Sequence, residues 1–174
     1  KEFVGRGLRR KGLNLLGVIP YQPLLSRPAI DAIREELNAD LLNRSSEKAH
    51  IAAKIILGVT GAGRIVQQLR DGVLLITPGD REDVLNATAQ WAKSGGGTPA
   101  GVILSDDLLP ANSVLEEFRQ LPFPLLSARQ DAYEVASRVH DLIVKIRPDD
   151  TEKITLVRDL IAKHVNLDRI LSAL

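Results

Sequence analysis

One segment of the 174-residue sequence is dense in side chains capable of chemistry: Thr77-Pro-Gly-Asp-Arg-Glu-Asp83. An arginine among carboxylates behind a Pro-Gly turn can act in two ways. Asp80 can cap a following helix, with Asp83 at the third helical position completing a capping box in which Asp replaces Glu. The acids also suit the positive start of a helix. Arg81 can pair with them or meet an anion. Thr77, Gly79, Asp80, Arg81 and Asp83 are therefore candidate ligand-binding residues. Ser105-Asp106-Asp107 is a second candidate set, because adjacent carboxylates can hold a hard cation. Such a cation needs a third ligand from another segment. The sequence supplies none, so no metal site is assigned and a solvated turn is the competing reading.

The turn Gly58-Val-Thr-Gly-Ala-Gly63 follows an apolar run and opens a helix, where backbone N–H groups could cradle a phosphate. It lacks the Lys-Ser/Thr end of a P-loop, and its glycine spacing is not that of a dinucleotide fingerprint. Glycines at such turns are commonly structural. His50 falls in a polar loop, and His140 and His164 fall in expected helices without partners at metal-ligand spacing. No nucleophile elbow is present. Tyr133, near a helix start, reads as a packing residue. Cysteine is absent, which excludes disulfides, thiolate metal sites and a Cys nucleophile. No catalytic residue and no cofactor is assigned.

The elements that would position these residues follow from apolar spacing. Residues 1–14 are basic and contain three glycines, and they read as a linker or arm. Leu15–Ile19 reads as a buried strand. Ser26 can cap a helix with Ile30, Ile33 and Leu37 on its inner face. Asp40–Asn43 is a short strand, Arg44–His50 a loop and Ile51–Val59 an apolar strand region. A helix with Ile65, Val66 and Leu69 follows, then strand Val73–Thr77 after an Asp71-Gly72 turn. A helix from about Arg81 to Lys93 presents Val84, Leu85, Thr88, Trp91 and Ala92. Then come strand Gly101–Ser105, helix Ala111–Gln120, strand Pro124–Ser127 and helix Asp131–Ile146. Pro148 ends that helix. Thr151 starts another, with Ile154, Val157, Leu160, Ile161 and Val165 inward, and Asn166 caps a last short one. This alternation predicts an α/β fold with a mostly parallel sheet covered by helices on both faces. Ligands of such sheets gather at the C-terminal strand ends, here Gly58–Gly63, Thr77–Asp83, Ser105–Asp107 and Ser127–Asp131.

Composition narrows the function classes. Lys plus Arg number 23 and Asp plus Glu 22, a balance that argues against a nucleic-acid partner. Aromatics are 3%, too few for base- or sugar-stacking platforms. No apolar run is long enough for a membrane span, and no signal peptide is evident, so a cytoplasmic address is expected. Methionine is absent, which fits either an internal piece of a longer chain or a sequence from which modified methionines have dropped out.

The block Gly72-Val-Leu-Leu-Ile-Thr-Pro-Gly-Asp-Arg-Glu-Asp-Val84 resembles the signature of the DRTGG domain, in which a strand ends in an Asp-Arg turn before a helix. Ile55–Val59 before it, and Gly101–Ser105 and Pro124–Ser127 after it, match the order of that domain. Leu16-Gly-Val-Ile-Pro20 resembles the end of a dethiobiotin-synthetase-like P-loop domain, and Asp150–Leu174 a connector found in long bacterial phosphate acetyltransferases. Arg81 is followed by Glu82-Asp83 rather than Thr-Gly-Gly, and Asp106-Asp107 stand where relatives often carry glycines, which disfavours an anionic ligand there.

The resemblance implies a non-catalytic α/β domain similar to the N-terminal domain of HPr kinase, over residues 15–148. Residues 149–174 would form a helical connector packed on it. It implies a role in regulation and assembly, with catalytic residues outside this chain. The parent reaction would be acetyl transfer between coenzyme A and phosphate. Expected partners are a second copy of the chain, adjacent domains of the parent and a small-molecule effector. Two further readings are a metabolite or nucleotide sensor, and a part of a P-loop amidotransferase or cobyrinate-type synthase.

Overall fold

The computed structural model describes residues 2–43, 50–148 and 150–172. The chain forms two compact units, one from Ser26 to Val144 and one from the residues up to Leu25 together with those from Lys145 on.

The larger unit is built on a five-stranded sheet of order β1-β5-β4-β3-β2. Strands β2 (Lys54–Leu57), β3 (Val73–Pro78), β4 (Gly101–Ser105) and β5 (Leu125–Ser127) run parallel. The two-residue β1 (Asp40–Leu41) closes the far edge antiparallel to β5. The expected α/β architecture is the observed one. The apolar runs have no polar alternation because both faces are covered. Val73 and Leu75 of β3 join one core, with Ile65, Leu69, Leu85 and Phe118 from α4 (Ala62–Gln68), α5 (Glu82–Lys93) and α6 (Asn112–Phe118) and the residues after them. Leu74 and Ile76 join the opposite core, with Ile33 and Leu37 of α3 (Ile30–Leu37) and Val135 and Val139 of α7 (Ala132–Asp141).

Three expectations in this unit need correction. Ser26 does not cap α3: it ends a one-turn helix, α2 (Pro23–Ser26), and the N-cap of α3 is Ala29, which makes no side-chain cap hydrogen bond. Helix α7 stops at Asp141 rather than Ile146, because Leu142 turns extended (φ −60, ψ 118) and the buried stripe ends at Val139. Beyond that point Ile143 is 81% exposed. Tyr133 is not a packing residue; it points outward from the first turn of α7 and is 80% exposed. Of the expected loop Arg44–His50, Arg44 to Ala49 lie outside the described residues.

The smaller unit holds α1 (Glu2–Arg10), α8 (Thr151–His164) and α9 (Leu167–Leu171). Residues 1–14, read from the sequence as a linker or arm, contain α1. Its glycines lower helix propensity, but Glu2 at its start and Arg9 and Arg10 at its end suit the helix dipole. Leu15–Ile19 is not a buried strand. Gly17 makes one isolated antiparallel bridge with Val165, and Ile19 is 51% exposed. Asn166 caps α9 as expected, its side chain accepting from the Arg169 N–H at 3.0 Å. No pattern of apolar spacing marks Lys153, which is buried with its ammonium 4.0 Å from the Asp150 carboxylate.

The short β1 edge is held by one buried amide. Asn43 Nδ2 donates to the carbonyls of Phe118 and Phe123, each at 2.9 Å. Its Oδ1 accepts from the Leu125 N–H at 2.8 Å. Phe118 and Phe123 meet edge-to-face, with centroids 6.1 Å apart. Removing the amide strands three buried backbone groups, so Asn43→Ala is expected to destabilise the domain by about 2–4 kcal/mol. Tyr133→Ala, at an exposed position, should cost less than about 0.5 kcal/mol. Equilibrium denaturation of both variants checks the contrast.

Candidate functional site

The parallel order sets the C-terminal ends of β2, β3, β4 and β5 side by side. Leu57 registers with Ile76, Pro78 with Ser105, and Leu104 with Ser127. The four turns that the sequence singled out therefore line one rim.

Arg81 stands at the entry to α5, and its guanidinium joins two of these turns. Nη1 donates to the Gly58 carbonyl at 3.0 Å and Nη2 to the Thr60 carbonyl at 2.9 Å. Nε and Nη2 hold the two oxygens of Asp83 at 2.8 and 2.9 Å. This is the planar, bidentate geometry that a guanidinium provides and an ammonium does not. The hydrogen bond to Asp83 raises the Arg81 pKa. The same bond is the largest cause of the lowered Asp83 pKa. Of the alternatives open for Arg81, pairing is the one observed. The capping box is not: the N-cap of α5 is Arg81 itself, without a side-chain cap bond, and Asp80 is exposed.

Close approaches fix the neighbouring turns. Gly58 sits against Thr77, where a Cβ would lie 2.5 Å from the threonine hydroxyl oxygen. Thr77 is fully buried, and its hydroxyl donates to the Gly58 carbonyl at 3.4 Å. Gly79 packs on the turn after β4, where a Cβ would lie 1.8 Å from the Leu108 carbonyl oxygen. A glycine is required at that contact. Glu82 accepts from the Ala111 N–H at 2.7 Å and so holds the start of α6.

Ser105 is buried and donates to Asp106 Oδ2 at 2.6 Å. Asp106 and Asp107 are exposed and both left-handed, with φ of 67 and 56. Aspartate tolerates that region better than most residues, and glycine better still. Their N–H groups donate to the carbonyls of Gln130 and Ala128 at 2.8 and 3.1 Å, which ties this turn to the one after β5. Gln130 is a rim residue that the sequence did not single out. Its Nε2 donates to the Leu37 carbonyl at 3.3 Å, while Oε1 is buried without a hydrogen-bond partner. Asp131 caps α7 by accepting from the Glu134 N–H at 2.8 Å.

The rim thus brings together all eight candidates: Thr77, Gly79, Asp80, Arg81, Asp83, Ser105, Asp106 and Asp107. Their surfaces differ. Thr77, Gly79 and Ser105 are buried and shape the turns, whereas Asp80, Asp83, Asp106 and Asp107 are exposed and Arg81 is half-buried. The histidines stand apart. Burial pushes the His50 pKa down, partly offset by the charge of Asp31. Among the described residues no group of three or more His, Asp or Glu side chains could hold a metal ion. No helix among them is long and apolar enough to cross a membrane.

The family model of the DRTGG domain matches residues 32–142. Over 163 residues the sequence is 34% identical to a phosphate acetyltransferase of Pseudomonas putida, covering 91% of this chain and 23% of that protein. Over 164 residues it is 31% identical to a phosphate acetyltransferase of Pseudomonas aeruginosa, covering 92% and 23%. The chain therefore spans about a quarter of the length of these curated relatives. Among solved structures it is similar to the CBS and DRTGG domains of the regulatory region of Clostridium perfringens pyrophosphatase, complexed with the activator diadenosine tetraphosphate. The TM-score is 0.58 at 13% identity, over 93% of this chain and 82% of that one. That likeness is one of fold.

The Arg81–Asp83 pair makes a signed prediction. A carboxylate whose pKa is lowered on folding stabilises the fold above its ordinary pKa and loses that contribution as pH falls through the lowered one. Asp83→Asn should flatten stability against pH in the acid range. Both variants should lose that contribution at neutral pH, and Arg81→Ala should lose more, because the Gly58 and Thr60 carbonyls also lose their donor. Denaturation midpoints measured from neutral to acid pH check both.

Proposed function

Because the chain belongs to the DRTGG domain family, we propose that it is a non-catalytic regulatory and assembly domain of a phosphate-acetyltransferase-type protein. In the parent reaction acetyl-CoA and phosphate give acetyl phosphate and coenzyme A, on residues outside this chain. Residues 1–14 and 149–174 act as the arm and the connector to adjacent domains. The observation that carries this reading is the use to which the rim puts its polar groups. Arg81 is committed to two carbonyls and Asp83, Glu82 to the start of α6, and Asp131 to the start of α7. These bonds hold turns in place; none pairs a nucleophile with a base, the arrangement that bond-making requires. The relatives named phosphate acetyltransferase supply the parent reaction.

A sensor role at the same rim is the second reading. The pyrophosphatase neighbour is complexed with a dinucleotide activator. The buried, unpartnered Gln130 Oε1 is an acceptor that a ligand's donor group would satisfy. The proposed contact residues are Asp80, Arg81, Asp83, Asp106 and Asp107, over turns shaped by Thr77, Gly79 and Ser105. The exposed carboxylates favour a ligand that presents donors or arrives with a cation, over a bare anion.

Assembly with a second copy of the chain is part of the first reading. It is supported by the exposed leucines Leu167 and Leu171 of α9, 44% and 67% accessible.

Three measurements test these readings. The purified chain should form no acetyl phosphate from acetyl-CoA and phosphate; a rate that one side-chain change abolishes would overturn the non-catalytic reading. Sedimentation at about tens of micromolar, where modest interfaces assemble, should show a dimer or larger species; monomer alone would remove the assembly role. Thermal-shift measurements with nucleotides, NADH, pyruvate and acetyl-CoA test the sensor. A ligand at 100 times its Kd adds about 2.7 kcal/mol, and a uniform null leaves assembly as the function.

A further inference from the structure

Exposed apolar side chains are ordinary when they are scattered. In the larger unit they are not scattered. Among its described residues seven large apolar side chains are exposed, and five of them stand on the rim: Leu57, Val59, Leu108, Leu109 and Tyr133. Leu41 and Ile143 are the other two. Val59 and Leu109 are 62% and 57% exposed. The backbone that carries these residues is braced. The carbonyls on either side of Val59, those of Gly58 and Thr60, accept from Arg81. The Leu108 carbonyl packs on Gly79, and Tyr133 lies in the turn that Asp131 caps. Apolar groups are thus presented to water in a fixed arrangement, a cost in solvation that docking removes without an ordering penalty.

Charge says what fits this surface. Asp40, paired with Ser127 at the strand end, and Asp80, Asp106, Asp107 and Asp131 are exposed carboxylates of the rim. Among the described residues its exposed cations are Arg64 and Arg129, while Arg81 is bound to Asp83. A two-fold axis over the middle of the rim would set the turn after β3 against the turn after β4 of a second copy, so that Asp80 met Asp106 and Asp107. Like charges there oppose self-association. A basic surface is drawn to the same carboxylates, and the apolar side chains among them then lose water. We infer that the rim is a docking surface for a separate polypeptide that presents an apolar stripe bordered by lysines and arginines. The inference rests on the reading of the rim as a place of recognition rather than reaction.

Two synthetic amphipathic helices of about 18 residues, alike in a leucine face, test it. One carries lysine and arginine on its polar face, the other glutamate. Titrated against the 174-residue chain, the basic helix should bind at least about tenfold more tightly than the acidic one, and more weakly as salt is raised. Leu109→Ser and Asp106→Asn should each weaken it about tenfold at unchanged melting temperature. Asparagine tolerates the left-handed backbone of position 106 as aspartate does. Ile143→Ser, at an exposed apolar position off the rim, should leave binding intact. Equal binding of the two helices overturns the inference, as does no binding up to about millimolar, or an equal loss in Ile143→Ser. Loss in Asp106→Asn without loss in Leu109→Ser overturns it and assigns the rim to a small cationic ligand. A dimer that Leu109→Ser dissolves overturns it in favour of a second copy. A failed titration with no acetyl phosphate formed by the chain defeats this inference alone, whereas acetyl phosphate formation defeats the reading beneath it.

Discussion

The rim of the sheet depends on how one guanidinium shares its donors. Arg81 reaches the backbone of the turn after β2 and, at the same time, a carboxylate in the first turn of its own helix. Parallel strands cannot be joined by hairpins, so each strand end is followed by a separate loop that must be placed from outside. Arg81 places the first loop. Gly79, through its contact with Leu108, and Glu82, through Ala111, place the third. The N–H groups of Asp106 and Asp107 bind the third to the fourth. Four loops far apart in sequence thereby become one continuous surface, built mostly from side chain–backbone bonds.

This arrangement separates groups that face solvent from groups that hold shape. Thr77 and Ser105 have the hydroxyls of potential ligand contacts, yet both are buried at the strand ends and bonded inward. The aspartates that remain outside give the rim a negative character, with Arg81 already neutralised by Asp83. The rim is thus held through its backbone and polar at its tips.

The sequence was most legible where one physical demand dominated. Strands β3, β4 and β5 bury both faces, so their apolar runs stand out, and the α/β class and the grouping of the turns follow from them. The Asp-Arg block was legible as a site, but its internal wiring was not. Capping and pairing use the same residues, and only the position of the Gly58 turn, 23 residues earlier, makes pairing the better outcome for Arg81. Helix α1 was hidden by its glycines, whose local cost is set against the end charges of Glu2, Arg9 and Arg10 and the Arg6–Glu2 pair. Leu15–Ile19 failed in the opposite direction: its composition states what the segment prefers, and cannot state whether a partner strand is at hand. Asn43 left no local signal, because its three bonds join residues far along the chain.

Those bonds carry a consequence for the order in which the domain acquires its shape. The amide of Asn43 waits for groups 75 to 82 positions further on. A nascent chain leaving the ribosome can assemble β2, β3 and β4 as each emerges, since those pairs are close in sequence. It cannot seat its earliest strand until β5, the last, has been synthesised. Closure is therefore a single late event that fastens the start of the sheet to its finish, and it makes the larger unit indivisible: a fragment cut short of Leu125 retains the middle of the sheet and loses the latch.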